Sequence, residues 1–152
     1  MSNTRSVHFK LCIEAAKFLQ TNEWCKYVAV ELITVGSEHT DVWGTTGYTS
    51  HMIEVKTSRA DFLKDQKKPC RFKKGLGNFR WYLVPEGKVK EEEIPENWGL
   101  LFHDGEKITR YVKHPVFTED VSNQGENAIL CSIMRREGIK KRIFNYRNPQ
   151  QQ

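Results

Sequence analysis

The segment SHMIEVKTSRADF, residues 50–62, places a strand directly before a helix, and this junction constrains the fold more than any other stretch. Ile53 and Val55 are apolar residues two apart, as expected for one buried face of a strand. Ser58 lies three residues before Asp61, a spacing similar to a capping box, which predicts that a helix begins there. A strand and a helix therefore meet within a few residues.

The flanking segments extend this order in both directions. Helical spacing of apolar residues predicts an amphipathic helix at about 5–20, and β-branched runs predict short strands. Asp104-Gly105 predicts a type I′ turn and hence a hairpin. Other strands are expected at 26–35, 40–44, 51–57 and 79–84, with helices from 59 to Pro69 and at about 123–136. The order α-β-β-β-α-β, followed by β-β-α, predicts an α/β (α+β) domain with a central mixed sheet flanked by helices.

The chain length of 152 residues favours one domain over residues 1–152, with a loose basic tail from about 139. A net charge of +5 and a pI near 9.0 weakly favour a polyanionic partner. The cysteines are scattered, without a CxxC motif or paired His/Cys spacing, so a zinc site is not expected. Because no apolar run would span a bilayer and a signal-peptide core is lacking, a cytoplasmic protein is expected.

Two acids and a lysine form the candidate catalytic set. Asp41 begins the second strand, while Glu54 and Lys56 flank Val55 on the third. Two carboxylates on neighbouring strands, with the carbonyl of Val55 as a third oxygen, suit Mg²⁺ (or Mn²⁺), a hard cation. Such an ion polarises a phosphodiester and activates water. Lys56 would orient that water or offset charge on the phosphate, and the alternative is a solvated ion pair without function.

The loop between these strands decides whether one ion can bind both acids. A tight two-residue turn would leave Glu54 on the order of 13 Å from Asp41. A wider loop, over about residues 44–51, would place the two acids opposite each other. Thr45-Thr46 is a poor sequence for a primed turn, which needs residues with φ > 0, so we expect the wider loop.

The chain resembles the PD-(D/E)XK nuclease superfamily, and most of all its small bacterial and phage MmcB-like DNA-repair members. The resemblance covers roughly residues 8–110 and lies in DVWG, HMIEVKTSRADF, DQKK, FRWYLVPEG and IPENWGLLF. It implies a restriction-endonuclease-like core in which Asp41 and Glu54 bind metal and Lys56 is catalytic. Thr40 stands where the family pattern has proline. Some members have lost activity, which keeps a non-catalytic DNA-binding or repair adaptor as the alternative.

Glu31 is a candidate accessory acid. It interrupts the apolar strand expected at 26–35, where a carboxylate is costly unless it is paired. It would be a further metal ligand or would bind water, with an edge position or a salt bridge as the alternatives. In the resembling families such a glutamate occurs in this strand or in the first helix, which makes Glu14 the competitor.

A cluster of cations follows the proposed site and is the candidate nucleic-acid interface. Phosphate contacts need mobile cations, and binding through them weakens with salt; the alternative is a solvated basic face. The candidate residues are Lys64, Lys67, Lys68, Arg71, Lys73 and Lys74.

The sequence thus predicts a Mg²⁺-dependent nuclease that hydrolyses double-stranded or branched DNA in repair, recombination or phage metabolism. A homodimer is left open, because many nucleases cut two strands as dimers. A protein-interaction module, in which the acids and the lysine are incidental, is the third interpretation.

Overall fold

The computed structural model of the chain describes residues 2–34, 38–68, 74–140 and 143–144. The predicted order of elements is confirmed, with a short 3-10 turn between β4 and β5. The elements are α1 (Ser2–Thr21), β1 (Tyr27–Val30), β2 (Val42–Thr45), β3 (Ser50–Val55), α2 (Arg59–Asp65), β4 (Phe79–Pro85), β5 (Gly99–His103), β6 (Ile108–Lys113) and α3 (Asn123–Arg136).

The strands form one six-stranded mixed sheet in which they lie in sequence order from β1 to β6. β3, β4 and β5 are parallel to one another, whereas the other neighbours are antiparallel. Because parallel neighbours need a crossover connection, the chain leaves the sheet between β3 and β4, and α2 occupies that crossover. The predicted α/β class with a mixed sheet flanked by helices is confirmed.

Each face of the sheet has its own apolar core. Residues of α1 such as Leu19 pack with Ile53 and Val55 on one face. On the other face, Phe62 of α2 packs with Met52, and residues of β4, β5 and α3 complete the layer. Since side chains alternate along a strand, Glu54 follows Met52 toward the α2 face, at the end of β3 where apolar packing gives way to charge.

Several predicted boundaries are corrected. The strand expected at 26–35 ends at Val30, because Glu31 adopts a left-handed backbone with φ of 48°. The β5–β6 loop is wider than a type I′ turn, since the Asp104 carboxylate accepts from the amides of Glu106 and Lys107 (3.0 and 3.1 Å). The Ser58 cap is confirmed, because its hydroxyl accepts from the third amide of α2 at 3.1 Å.

The C-terminal region is described in part. α3 covers the residues predicted for the last helix. The basic tail lies largely outside the described residues, as does the proline expected to end α2. Among the helices of the described ranges, none is long and apolar enough to cross a membrane.

Candidate functional site

The register of the β2–β3 hairpin brings the two predicted metal ligands together. Val42 lies opposite Ile53, so the next residues outward, Asp41 and Glu54, face each other across the strands. The connecting loop is Thr46–Thr49, wider than a two-residue turn. The tight turn is therefore excluded, and the prediction that the two acids lie opposite each other is confirmed.

The candidate catalytic residues share one open cleft. Asp41, Glu54 and Lys56 line a depression of about 690 Å³ where the start of α1 and the α2 region meet the ends of β2 and β3. Both acids and the lysine thus border the same depression. The other charged or titratable residues on the described walls are Arg5, His8, His39, Asp61 and Lys68.

Asp41 is fixed from two directions. Its Oδ2 accepts a hydrogen bond from the Val55 amide at 2.8 Å, and its Oδ1 lies 3.4 Å from Nε2 of His8 on α1. Burial by itself would raise the pKa of Asp41, but the His8 contact, the charge of Lys56 and the Val55 amide together hold it below its ordinary value. Asp41 is therefore an ionised carboxylate at neutral pH.

Glu54 and Lys56 form a buried ion pair, so the alternative of a solvated pair is wrong. Glu54 is 2% exposed and Lys56 is 5% exposed. Nζ of Lys56 lies 3.2 Å from Glu54 Oε2 and 3.0 Å from Oδ1 of Asp65 on α2. Burial by itself would lower the pKa of Lys56, but the negative charges of Glu54, Asp65 and Asp41 hold it above its ordinary value.

The main chain of Lys56 is held by the two strands beyond β3. Its amide donates to the Leu83 carbonyl at 2.8 Å. Its carbonyl accepts from Nε2–H of His103 at 2.6 Å, a tautomer assigned because Nδ1 of the same ring accepts from the Gly105 amide at 3.0 Å. Burial lowers the pKa of His103, which keeps the ring neutral. The end of β3 is thus a rigid support for the Lys56 side chain.

Two further positions concern the main chain of the hairpin. The Val55 side chain is buried in the α1 core while the residue also lines the cleft, so its backbone is what faces the site. Thr40, the residue before Asp41, is buried, and its hydroxyl donates to the carbonyls of Val42 and Ile53 (3.3 and 3.4 Å). The threonine therefore braces the same end of the hairpin.

The accessory acids are placed differently from expectation. Glu31 lies beyond the end of β1 with its side chain 46% exposed, so it is not a carboxylate in a buried strand. It still reaches the site indirectly, because its Oε1 lies 3.2 Å from Nδ1 of His8. Glu14 is paired with Lys17 at 2.9 Å and is not among the residues on the described walls of the cleft.

The basic cluster is only partly at the site. Lys68 lines the cleft, with its side chain 47% exposed. Lys64, Lys67 and Lys74 are exposed but do not line the described walls. Arg71 and Lys73 lie outside the described residues. Arg5 was not predicted from the sequence. It lines the cleft because the start of α1 lies beside the β2–β3 hairpin.

A histidine, a thiol and a carboxylate also meet beside the cleft. Ligand-type atoms of His8, Cys12 and Asp41 lie within 4.8 Å of one another. His8 and Cys12 are four residues apart on one face of α1, a spacing not considered from the sequence, and the expectation that no zinc site forms stays a prediction. Hydrogen bonds to Asp41 and Cys12 raise the pKa of His8 to about 11, and burial raises the pKa of Cys12. Both groups would have to lose a proton before binding a metal.

Asp65 is the most important residue that sequence reasoning missed. It is 1% exposed and contacts Lys56, Lys68 and the Tyr82 hydroxyl. A signal was available, because Asp65 lies three residues after the buried Phe62 and therefore shares the sheet-facing side of α2.

No protein-family model matches the chain, and no curated protein matches it either. A solved structure of a protein of unknown function from Silicibacter pomeroyi is similar, with a TM-score of 0.57 at 20% sequence identity. The match covers 89% of this chain and 94% of that one. The likeness shows a shared fold over most of the domain.

Proposed function

We propose that the chain is a Mg²⁺-dependent nuclease that hydrolyses phosphodiester bonds of DNA on a restriction-endonuclease-like core. The observation that carries the proposal is the pairing of Asp41 opposite Glu54, with Lys56 on the same cleft. Buried acids of this kind are costly to a fold, so a cleft that concentrates them favours a functional role over incidental charge.

The donors at the cleft fit a hard divalent cation. Asp41 and Glu54 offer carboxylate oxygens, Val55 offers its carbonyl, and the lowered pKa of Asp41 favours its ionised form. Oxygen donors of this type suit Mg²⁺ or Mn²⁺ better than a thiophilic metal. His8 fits less well as a ligand, because its raised pKa favours the imidazolium. When bound, the ion would supply polarisation of the scissile phosphate and a more acidic bound water.

Lys56 acts in this proposal as a fixed positive charge. Because the pKa of Lys56 is raised, the side chain is an ammonium at neutral pH and donates hydrogen bonds rather than removing a proton. An ammonium at the bottom of the cleft would orient the attacking water and offset negative charge that develops on the phosphate. The buried main chain of Lys56, held by Leu83 and His103, keeps that charge in place.

DNA binding would rely on the exposed cations around the cleft. Lys68 and Arg5 line it from the α2 side and the α1 side, and both are exposed enough to meet phosphates that flank the scissile one. Glu31 is retained as an accessory acid that acts on Asp41 through His8. Whether two copies act together on duplex DNA stays a prediction.

Cleavage of supercoiled plasmid and of branched DNA, with and without Mg²⁺ or Mn²⁺, tests the proposal. We expect metal-dependent nicking or cutting by the wild-type protein that is lost in Glu54→Gln and Lys56→Ala. Glu14→Gln is the matched control, because that acid pairs with Lys17 away from the cleft. Circular dichroism and thermal unfolding establish that each variant is folded.

Salt-dependent DNA retention without cleavage, unchanged by the two substitutions, would contradict the nuclease and favour the non-catalytic DNA-binding adaptor. If the protein neither binds nor cleaves DNA, the nuclease and the DNA-binding adaptor are both contradicted.

A further inference from the structure

The end of α2 carries a buried acid that has no role in the proposed metal site. Asp65 is the last residue of α2, is 1% exposed and faces the sheet rather than solvent. A buried carboxylate is retained only where hydrogen bonds and opposite charges compensate for lost hydration. The residues that contact Asp65 therefore indicate the role of its carboxylate.

Two of those partners are lysines with different environments. Oδ1 of Asp65 lies 3.0 Å from Nζ of Lys56, which is buried, and 2.9 Å from Nζ of Lys68, whose side chain is 47% exposed. Both lysines line the cleft. One carboxylate oxygen thus joins the ammonium at the bottom of the cleft to an ammonium at its rim.

Asp65 itself is held firmly. The Tyr82 hydroxyl donates to its Oδ2 at 2.5 Å, and the Gln66 side-chain amide donates to the same hydroxyl at 2.9 Å. The Tyr82 ring stacks on Trp98 with centroids 4.5 Å apart and meets Phe62 edge-on at 5.1 Å. The position of the carboxylate is therefore set by the packed core of the α2 face.

Glu54 cannot fix Lys56 alone if it also binds a cation. Its Oε2 is 3.2 Å from Nζ of Lys56, and a metal-bound carboxylate shares its charge between the ion and the lysine. Asp65 is the second carboxylate on that ammonium and lies on a different element, so its hold does not depend on the metal.

We propose, building on the proposed nuclease function, that Asp65 is a positioning residue that anchors both lysines. Through Lys56 it sets the charge at the reacting phosphate, and through Lys68 it sets a cation for a flanking phosphate of the same DNA strand.

Kinetics of DNA cleavage separate the two effects. We expect Asp65→Asn to lower kcat by about 10- to 100-fold, as for other residues that orient a catalytic group, and also to raise KM. Lys68→Gln should raise KM and leave kcat within about twofold, because it removes only binding to the DNA backbone. Glu14→Gln is the control, since Glu14 pairs with Lys17 and is not among the residues on the described walls of the cleft.

Nitrogen-15 NMR of the lysine ammonium groups tests the anchor without any need for activity. Lys56 should give a slowly exchanging ammonium signal, identified by its loss in Lys56→Arg, that broadens in Asp65→Asn and persists in Glu14→Gln. If Asp65→Asn does not fold, Tyr82→Phe takes its place, because it removes the hydroxyl that holds Asp65 and keeps the ring; the same broadening and a smaller loss of kcat are then expected.

An unchanged Lys56 signal together with an unchanged kcat would overturn the proposal. A raised KM with an unchanged kcat in Asp65→Asn would overturn the part that concerns Lys56. If the wild-type protein cleaves no DNA, the nuclease assignment fails, whereas the NMR measurement still decides whether Asp65 holds Lys56.

Discussion

The Asp41 carboxylate accepts a hydrogen bond from the Val55 amide at 2.8 Å and so joins the start of β2 to the end of β3. The Asp41 side chain thus links β2 and β3 just beyond Val42 and Ile53, the last pair of residues in their ladder. The bond orients one oxygen of Asp41 and leaves the other toward His8. The acid that would bind a metal is therefore also a structural link across the hairpin.

Asp41→Ala should expose the Val55 amide to exchange with solvent. A hydrogen bond to a charged group contributes about 1.5–3 kcal/mol, which corresponds to about 10- to 100-fold faster exchange when it is lost. Hydrogen exchange followed by NMR measures the change. Glu14→Ala is the control, because Glu14 pairs with Lys17 away from the hairpin, and unchanged protection of Val55 in Asp41→Ala would show that the carboxylate does not hold the strand end.

Lys56→Met should destabilise the fold strongly. The substitution leaves the buried carboxylates of Glu54 and Asp65 facing each other without the ammonium between them. Removing one partner from a buried charge network typically costs about 3–5 kcal/mol. Urea unfolding of Lys56→Met and of Lys68→Gln measures the contrast, since the exposed Lys68 should contribute about 1 kcal/mol or less. Equal stability of the two variants would contradict a buried pair.

Stability should fall in acid because of His51. Burial, with a smaller effect of the His114 charge, lowers the pKa of His51 to about 4, and the ring accepts a hydrogen bond from Trp81 Nε1 at 3.3 Å. Between pH 4 and 6.5 the unfolded chain therefore binds more protons at this position than the folded protein does. The contribution of His51 is complete above pH 6.5 and is lost as the pH falls toward 4, up to about 3 kcal/mol.

His51→Gln keeps an acceptor for Trp81 but does not titrate, so its unfolding free energy should depend less on pH over that range. Unfolding in urea at several pH values measures the difference. Parallel pH profiles for the wild type and the variant would contradict a buried neutral histidine.

Divalent cations should raise the thermal stability of the protein. A ligand that binds only the folded state at about 100 times its Kd contributes about 2.7 kcal/mol, which in a domain of this size raises Tm by about 5–10 °C. Titration with Mg²⁺ or Mn²⁺ during thermal unfolding measures the shift. Asp41→Asn and Glu54→Gln should abolish it and Glu14→Gln should retain it, whereas a shift in all four proteins would place the ion elsewhere.

DNA affinity should depend on salt through the cations of the cleft. Each cation that neutralises one phosphate contributes about one unit to the slope of log Kd against log salt. Arg5→Gln and Lys68→Gln should each lower the slope by about one, and Lys17→Gln, which is paired with Glu14 on α1, should not. Fluorescence anisotropy at several salt concentrations provides the slopes, and equal slopes for all variants would exclude both residues as phosphate contacts.

The local parts of the fold were predictable from sequence. β-branched and aromatic residues place β2, β3 and β4 within a few residues, and the Ser58 cap follows from a spacing of three. The pairing of Asp41 with Glu54 followed from turn chemistry, because the threonines at the loop disfavour a tight primed turn. These signals are short-range, and each can be read from the residues themselves.

The support of the site was not predictable in the same way. Asp65 meets Tyr82 across 17 residues, and His103 meets the Lys56 carbonyl across 47. Such contacts depend on the sheet order, which no spacing along the chain reveals. The prediction that Glu31 lies in a buried strand was wrong for a different reason. The left-handed backbone of Glu31 ends β1, whereas the side-chain pattern predicts that the strand continues.

All described walls of the cleft come from residues 4–68. Tyr82 and His103 do not line it but hydrogen-bond to Asp65 and to the Lys56 carbonyl behind it. The described chain thus divides into a half that lines the cleft and a half that supports the cleft from the sheet side. Under the proposed nuclease function, changes in the second half would alter the rate of the reaction and leave the DNA-binding residues in place, so rate and binding can diverge separately among proteins that share this architecture.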